Sequence, residues 1–242
     1  MIRSISIVFP CYNEADRLKY TFKDIKKFQE KKITNNFEII FVNDGSSDNT
    51  FQILKKYKID NTKLNRKIKI INYQNNKGKG YALKKGIKFA RFDWILTLDT
   101  DISVSITQLI DWIKHKKIKK EKFIYFGSRN LKDSNIKFKM YRKLIGLIFV
   151  KIIKILFNIN LSDTQCGFKL YKKDIAKKLF SNLKMLDFTH DIEIVLKSKK
   201  KGYKIQELPV NWIHKKGSKI SVFKDSFKMF ISLLKMKFIY SK

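Results

Sequence analysis

The 242-residue chain is long enough for one large α/β domain with or without an appendage, and its 44% hydrophobic content supports a packed core and argues against disorder. Lys and Arg number 54 against 21 Asp and Glu, a formal charge of +33, so the partners it implies are anionic: nucleic acid, anionic lipid or a phosphorylated substrate. Cys11 and Cys166 lie far apart without metal-ligand spacing and indicate a reducing compartment, the N-terminus does not read as a signal peptide, and no uncharged apolar run approaches the ~18–20 residues of a spanning helix.

Ser4–Phe9 reads as the first strand, with Ile5, Ile7 and Phe9 alternating. Pro10-Cys11-Tyr12-Asn13-Glu14 breaks it, and a helix follows to about Gln29. Phe37–Val42 is a second strand that ends in the turn Asn43-Asp44-Gly45-Ser46. Ile68–Tyr73 is the third, followed by Asn76-Lys77-Gly78-Lys79-Gly80 and a helix to about Phe89. Trp94–Leu98 is the fourth, then a helix over 106–114 and a strand over 123–127 that runs into Gly127-Ser128-Arg129. Strands alternating with helices predict a doubly wound, mostly parallel sheet, with every polar motif gathered along one edge.

Beyond residue 138 the pattern changes. Lys139–Phe157 is strongly apolar but carries Arg142, Lys143, Lys151 and Lys154. Asp163–Tyr171 reads as loop into strand, Phe188–Lys200 as helix, and Tyr203–Gln206 and Val210–Ile213 as short strands around Pro209. Lys215–Lys219 is a basic, glycine-containing loop. From Val222 on, Phe223, Phe227, Phe230, Leu234 and Phe238 trace one helical face, while Lys224, Lys228 and Lys235 trace another. Such basic amphipathic helices lie in a membrane interface, although the same apolar faces also fit packing on the protein's own core or a second subunit.

Asp99 and Asp101 carry the sharpest chemical signal. In an extended segment residues i and i+2 share a side, so both carboxylates can face one point past the strand end, where ligands bind in open α/β sheets. Hard oxygen ligands of this kind suit Mg²⁺ or Mn²⁺ bridging to a phosphate. A strand-end turn with two solvated aspartates has the same sequence. Asp44 suits acceptance of hydrogen bonds from a base or ribose, or shapes its turn as an Asx residue. Gly78 and Gly80 permit close backbone approach and Lys79 can meet a phosphate. Arg129 can pair with phosphate bidentately, and His214 and Lys219 can approach the diphosphate or an acceptor phosphate.

Taken in order, Pro10–Glu14, Asn43–Ser46, the glycine-lysine loop and Asp99-Thr100-Asp101 resemble the nucleotide-sugar-binding core of the family 2 glycosyltransferases. With Gly127–Arg129, Asp163–Tyr171 and Asn211–Lys219 the chain resembles their dolichyl- and polyprenyl-phosphate hexosyltransferase branch. The resemblance implies a single nucleotide-diphospho-sugar transferase domain of the GT-A type over residues 1–220, including the amphipathic segment 139–157, and a basic amphipathic helix over 221–242. It implies inverting transfer of a hexose, glucose from UDP-glucose first among the choices, to a polyprenyl phosphate. Pro10, Tyr12, Glu14 and Asp44, with Gly78, Lys79 and Asp99, would hold the nucleotide sugar. Asp99 and Asp101 would hold Mg²⁺ or Mn²⁺. Asp191, Asp101 and Arg129 would be the catalytic set, with Asp191 a base, a sugar ligand or a helix-start acid. Gln165, Lys169, His214 and Lys219 would line the acceptor and diphosphate side. The expected setting is peripheral, on the cytoplasmic face of an anionic membrane, with oligomeric state left open. Transfer to a sugar hydroxyl is the enzymatic alternative. A nucleic-acid-binding protein would explain the charge, but strand-end aspartates oppose a phosphate backbone and no nucleic-acid motif is present.

Overall fold

The computed structural model describes residues 2–32, 34, 36–119, 121–137, 140–215 and 222–240, without the side chains of 63, 65, 137, 140–145, 147, 148 and 222–228. In chain order the elements are β1 (Ser4–Cys11), α1 (Leu18–Glu30), β2 (Asn36–Asp44), α2 (Thr50–Asp60), α3 (Thr62–Asn65), β3 (Ile68–Tyr73), α4 (Lys79–Phe89) and β4 (Trp94–Thr97). There follow α5 (Gln108–Lys114), β5 (Ile124–Ser128), β6 (Asn135–Lys137), α6 (Met140–Phe157), β7 (Lys169–Lys172), α7 (Lys173–Ser181), α8 (His190–Lys200), β8 (Ile205–Pro209), β9 (Asn211–Ile213) and α9 (Val222–Tyr240).

Seven strands form one sheet in the order β3-β2-β1-β4-β7-β5-β8. All its pairings are parallel except those of β7, which runs against both β4 and β5. Alternation along β1 explains why both faces are covered. Ile5, Ile7 and Phe9 enter a core with Phe41, Leu96 and the helices α1 and α5. Val8 faces the other way and packs with Ile40, Val42, Ile95 and the apolar sides of α4, α7 and α8. The fold is the expected doubly wound, mostly parallel sheet.

Several local boundaries shift for visible reasons. The helix expected from Phe188 starts at His190, because Asp187 Oδ1 takes the Thr189 amide (2.8 Å) and makes a turn before it. The helix expected from 106 starts at Gln108, since Asp24 accepts from Ser105 Oγ (2.6 Å) and the Ile106 amide (2.7 Å). Pro209 ends β8 instead of separating two strands, a position open to proline because β8 is an edge strand. β9 pairs in parallel with β6, a three-residue strand with no clear sequence pattern.

The last helix belongs to the second core layer. Leu233 and Met236 are fully buried there. Ser232 Oγ donates to Asp187 Oδ2 (2.6 Å) and Tyr240 OH to Glu193 Oε1 (2.7 Å). Glu193 also accepts the amides of Lys184 and Met185, so α9 is tied to the segment that leads into α8.

Candidate active site

The parallel strands deliver their C-terminal ends to one edge, and β7, running the other way, delivers its beginning there. Asp99 and Asp101 leave β4 at this edge. Lys79 Nζ lies 2.5 Å from Asp99 Oδ1. Asp101 Oδ1 accepts the Ser103 amide (2.9 Å), and Arg17 Nη1 stands 4.0 Å from Asp101 Oδ2. Burial, then the neighbouring Asp99 charge, raises the Asp101 carboxyl above its ordinary value. Gly167 backs the pair: a Cβ there would sit 2.6 Å from Asp99 Cγ. A pocket follows, lined among others by Pro10, Lys79, Asp99, Gly167, His190 and Asp191.

The glycine-lysine loop is held from below by Asp44. Its Oδ1 accepts the Lys77 amide (2.7 Å), and its Oδ2 the Gly78 amide (2.9 Å) and Asn76 Nδ2 (3.1 Å). Burial raises its carboxyl, and those amides act against the rise. Asp44 thus shapes this loop across 33 residues of sequence, a role distinct from the expected acceptance from base or ribose. Gly78 adopts φ +96°, and a Cβ there would collide with the Leu186 carbonyl. Gly80 N donates to that same carbonyl (2.8 Å). Both glycines are therefore needed for close packing against 185–190.

Asp191 is buried at the first turn of α8. Lys169 Nζ lies 2.5 Å and His190 Nε2 3.0 Å from its Oδ1, within ion-pair reach, though neither nitrogen is aligned for a hydrogen bond. Burial works to raise the Asp191 carboxyl, but His190, Lys169 and Lys79 outweigh it and hold it well below the usual carboxylate range. His190 is itself oriented by the Asp187 carbonyl, 2.7 Å from Nδ1.

The remaining expected residues divide. Pro10 lines the pocket, and its carbonyl accepts Thr100 Oγ1 (2.7 Å). Tyr12 is exposed and is not among the residues lining the pocket. Glu14 pairs with Arg17 at 2.6 Å. Arg129 follows the end of β5 and gives Nε (2.7 Å) and Nη2 (2.9 Å) to Asp163, so the fork expected to meet a phosphate is engaged within the protein. Gln165 is half-buried beside Thr164. His214 stacks on Trp212, and Ile213 N bonds the Ser103 carbonyl (2.9 Å), which brings this strand end beside the Asp101 turn. Lys219 lies outside the described residues. The sequence reading assigned no role to Arg17, Gly167 or His190. Glu14 and Arg17 are spaced i,i+3, and His190 precedes Asp191, but nothing local marks Gly167 as the backing of Asp99.

No set of three His, Cys, Asp or Glu side chains converges among the described residues. Two carboxylates at a strand edge still fit Mg²⁺ or Mn²⁺, which take one or two protein carboxylates and fill their shell with water and substrate phosphate oxygens.

Residues 6–180 match the family described as Glycosyl transferase family 2. The chain belongs to that family. This family 2 glycosyltransferase is 31% identical over 245 residues to the dolichyl-phosphate beta-glucosyltransferase of Dictyostelium discoideum, covering 98% of this chain and 74% of that one. It is also 31% identical over 249 residues to the Saccharomyces cerevisiae protein of the same name, covering 98% and 75%. Among solved structures it is similar to Mycobacterium tuberculosis glucosyl-3-phosphoglycerate synthase in complex with Mn²⁺, UDP and phosphoglyceric acid, with TM-score 0.68, 14% identity and 97% and 78% coverage. The expected fold and enzyme class are both borne out.

Proposed function

We propose that this glycosyltransferase moves glucose from UDP-glucose to the phosphate of a dolichyl or other polyprenyl lipid, with inversion at C1. The observation that carries the reading is the similarity, over nearly the whole chain, to proteins named dolichyl-phosphate beta-glucosyltransferase. The site chemistry supports it. A phosphate oxygen of the lipid attacks C1, the bond from C1 to the UDP oxygen breaks, and its electron pair leaves on the diphosphate. Asp99 and Asp101 would hold a divalent cation, which when bound would supply Lewis-acid stabilisation of that leaving group. Lys79 neutralises phosphate charge beside it. Pro10, Tyr12, Glu14 and the loop shaped by Asp44 hold the nucleotide, and Gln165 and His214 flank the acceptor side.

Asp191 supports the choice of acceptor. A carboxylate held well below the usual range by the adjoining His190, Lys169 and Lys79 is a poor proton acceptor at neutral pH. A sugar hydroxyl requires a base, whereas a lipid phosphate arrives already anionic. Asp191 therefore orients sugar hydroxyls, with Lys169 and His190 fixing its charge and position.

The membrane setting draws on α9. Phe230, Ile231, Leu234 and Phe238 are exposed on one side while Leu233 and Met236 are buried on the other. Ile155 of α6 is 73% exposed, next to the exposed Lys154 and about one turn from the exposed Lys151. Among the described residues no helix is long and apolar enough to cross a membrane. Apolar side chains flanked by lysine suit a helix lying at an anionic leaflet, as on a cytoplasmic face. Lys139, Lys143, Phe223, Lys224, Phe227 and Lys228, also expected on these faces, lie outside the described residues or side chains.

The test is a panel of nucleotide sugars with polyprenyl phosphate and Mg²⁺ or Mn²⁺, with product configuration read by NMR. UDP-glucose should be preferred and the product β-linked. Asp99→Asn and Asp101→Asn should nearly abolish transfer, and EDTA should do so reversibly. An α-linked product, or turnover only with sugar hydroxyl acceptors, would refute the reading.

A further inference from the structure

Two carboxylates aimed at one point repel each other, and this chain meets their charge with cations of its own. Arg17 stands 4.0 Å from Asp101 while also pairing with Glu14 at 2.6 Å. Lys79 is closer and more specific, 2.5 Å from Asp99 Oδ1, with its side chain 18% exposed. Its ammonium takes the oxygen that a divalent cation would need.

We propose that Lys79 is a built-in counter-ion of the carboxylate pair, which leaves Asp99 for the donor's diphosphate as the divalent cation arrives. The proposal rests on the reading of Asp99 and Asp101 as the metal pair and adds an exchange that the reading does not require. The local structure favours movement of the side chain alone. Asp44 fixes the backbone at Lys77 and Gly78, and the Leu186 carbonyl fixes Gly80 and Tyr81. The lysine has a four-carbon flexible stem on this fixed base, and Asp99 and the pocket lie on the same side of the loop. Nothing but a rotamer change separates a lysine on Asp99 from a lysine on a phosphate beside it.

The consequence is a thermodynamic coupling. A cation binding alone has to displace Lys79. A diphosphate binding alone has to draw Lys79 away from Asp99 and leaves a bare carboxylate. Together each removes the other's cost, and such coupling is reciprocal.

The test uses the full chain and needs no turnover. Mn²⁺ is titrated without nucleotide and followed by electron paramagnetic resonance, and UDP is titrated in EDTA by calorimetry. In Lys79→Met, Mn²⁺ alone should bind roughly tenfold tighter and UDP alone roughly tenfold weaker, as for typical site-to-site couplings. Lys85→Met, on the same helix with its ammonium over the Tyr81 ring, should change neither, which separates a specific counter-ion from the diffuse positive field. Lys79→Gln replaces Lys79→Met if the latter melts early. Unchanged or weaker Mn²⁺ binding in the Lys79 variant, or unchanged UDP binding, overturns the counter-ion role while leaving the metal pair standing. Wild-type protein that binds no Mn²⁺ even with UDP overturns the metal reading and this proposal with it.

Discussion

Gly167→Ala probes the carboxylate pair without touching a carboxylate. Gly167 has no positive φ, so alanine is compatible with its backbone. The added Cβ, however, would lie 2.6 Å from Asp99 Cγ and 2.7 Å from Oδ1, against 3.4 Å or more in ordinary contact. Asp99 Oδ2 would be closer still, so the carboxylate must retreat by roughly 1 Å, and misplacement on the ångström scale costs on the order of 10²-fold in rate. Asp99 is 40% exposed as a side chain and can turn outward, so overpacking should cost no more than about 1–3 kcal/mol of stability. The assay is single-turnover transfer at saturating donor, with thermal melts alongside. A double-mutant cycle with Asp99→Asn sharpens it. Both changes act through one carboxylate, so the double variant should be no slower than Asp99→Asn alone. Wild-type rate in Gly167→Ala, or full additivity in the cycle, would refute this account of how Asp99 is held.

Asp44→Ala should raise the donor KM by about tenfold or more, from the loss of charge-assisted bonds worth roughly 1.5 kcal/mol or more. The acceptor KM should stay put, and steady-state kinetics in both substrates would show the difference. Joint replacement of Phe230, Leu234 and Phe238 by serine should lower partitioning onto anionic vesicles by on the order of 100-fold or more, since each buried apolar side chain contributes roughly 1.5–3 kcal/mol. The melting temperature should hold, because all three are exposed. Burial works to raise the Asp163 carboxyl, but Arg129 outweighs it and holds it below the ordinary 3.8. Its contribution is thus fully present above the unfolded value and is lost as pH falls through the folded one. Urea titrations should find the stability gap between wild type and Asp163→Asn wide at pH ~6 and narrowing below pH ~4.

Legibility from sequence followed the range of the interaction. Strand period and turn chemistry are local, so β1 to β5 and the strand-edge position of Asp44, Asp99 and Asp101 could be read directly. Pairing partners are not local. Nothing near Arg129 announces that Asp163 takes its guanidinium, and nothing near Asp44 announces that its oxygens take amides 33 and 34 residues on. The direction of β7 was equally hidden, because a four-residue strand carries no mark of parallel or antiparallel pairing. That direction is what brings Gly167 under Asp99 and Lys169 to Asp191. Lys169, expected at the site only by resemblance, proves to be a buried cation, which hydropathy alone would have put at the surface.

The two hydroxyl contacts of α9 link events that sequence keeps apart. Ser232 holds Asp187, Tyr240 holds Glu193, and between those acids lie His190 and Asp191. The Leu186 carbonyl in the same stretch receives the amides of Gly80 and Tyr81. Separating α9 from the body would strip hydrogen bonds from Asp187 and Glu193 and unfasten the floor of the donor loop. The last helix, residues 184–190 and the start of α4 should therefore open as one cooperative unit, with amide protons in all three exchanging at a common rate. Whatever seizes the outer face of α9 thereby slows the breathing of the pocket.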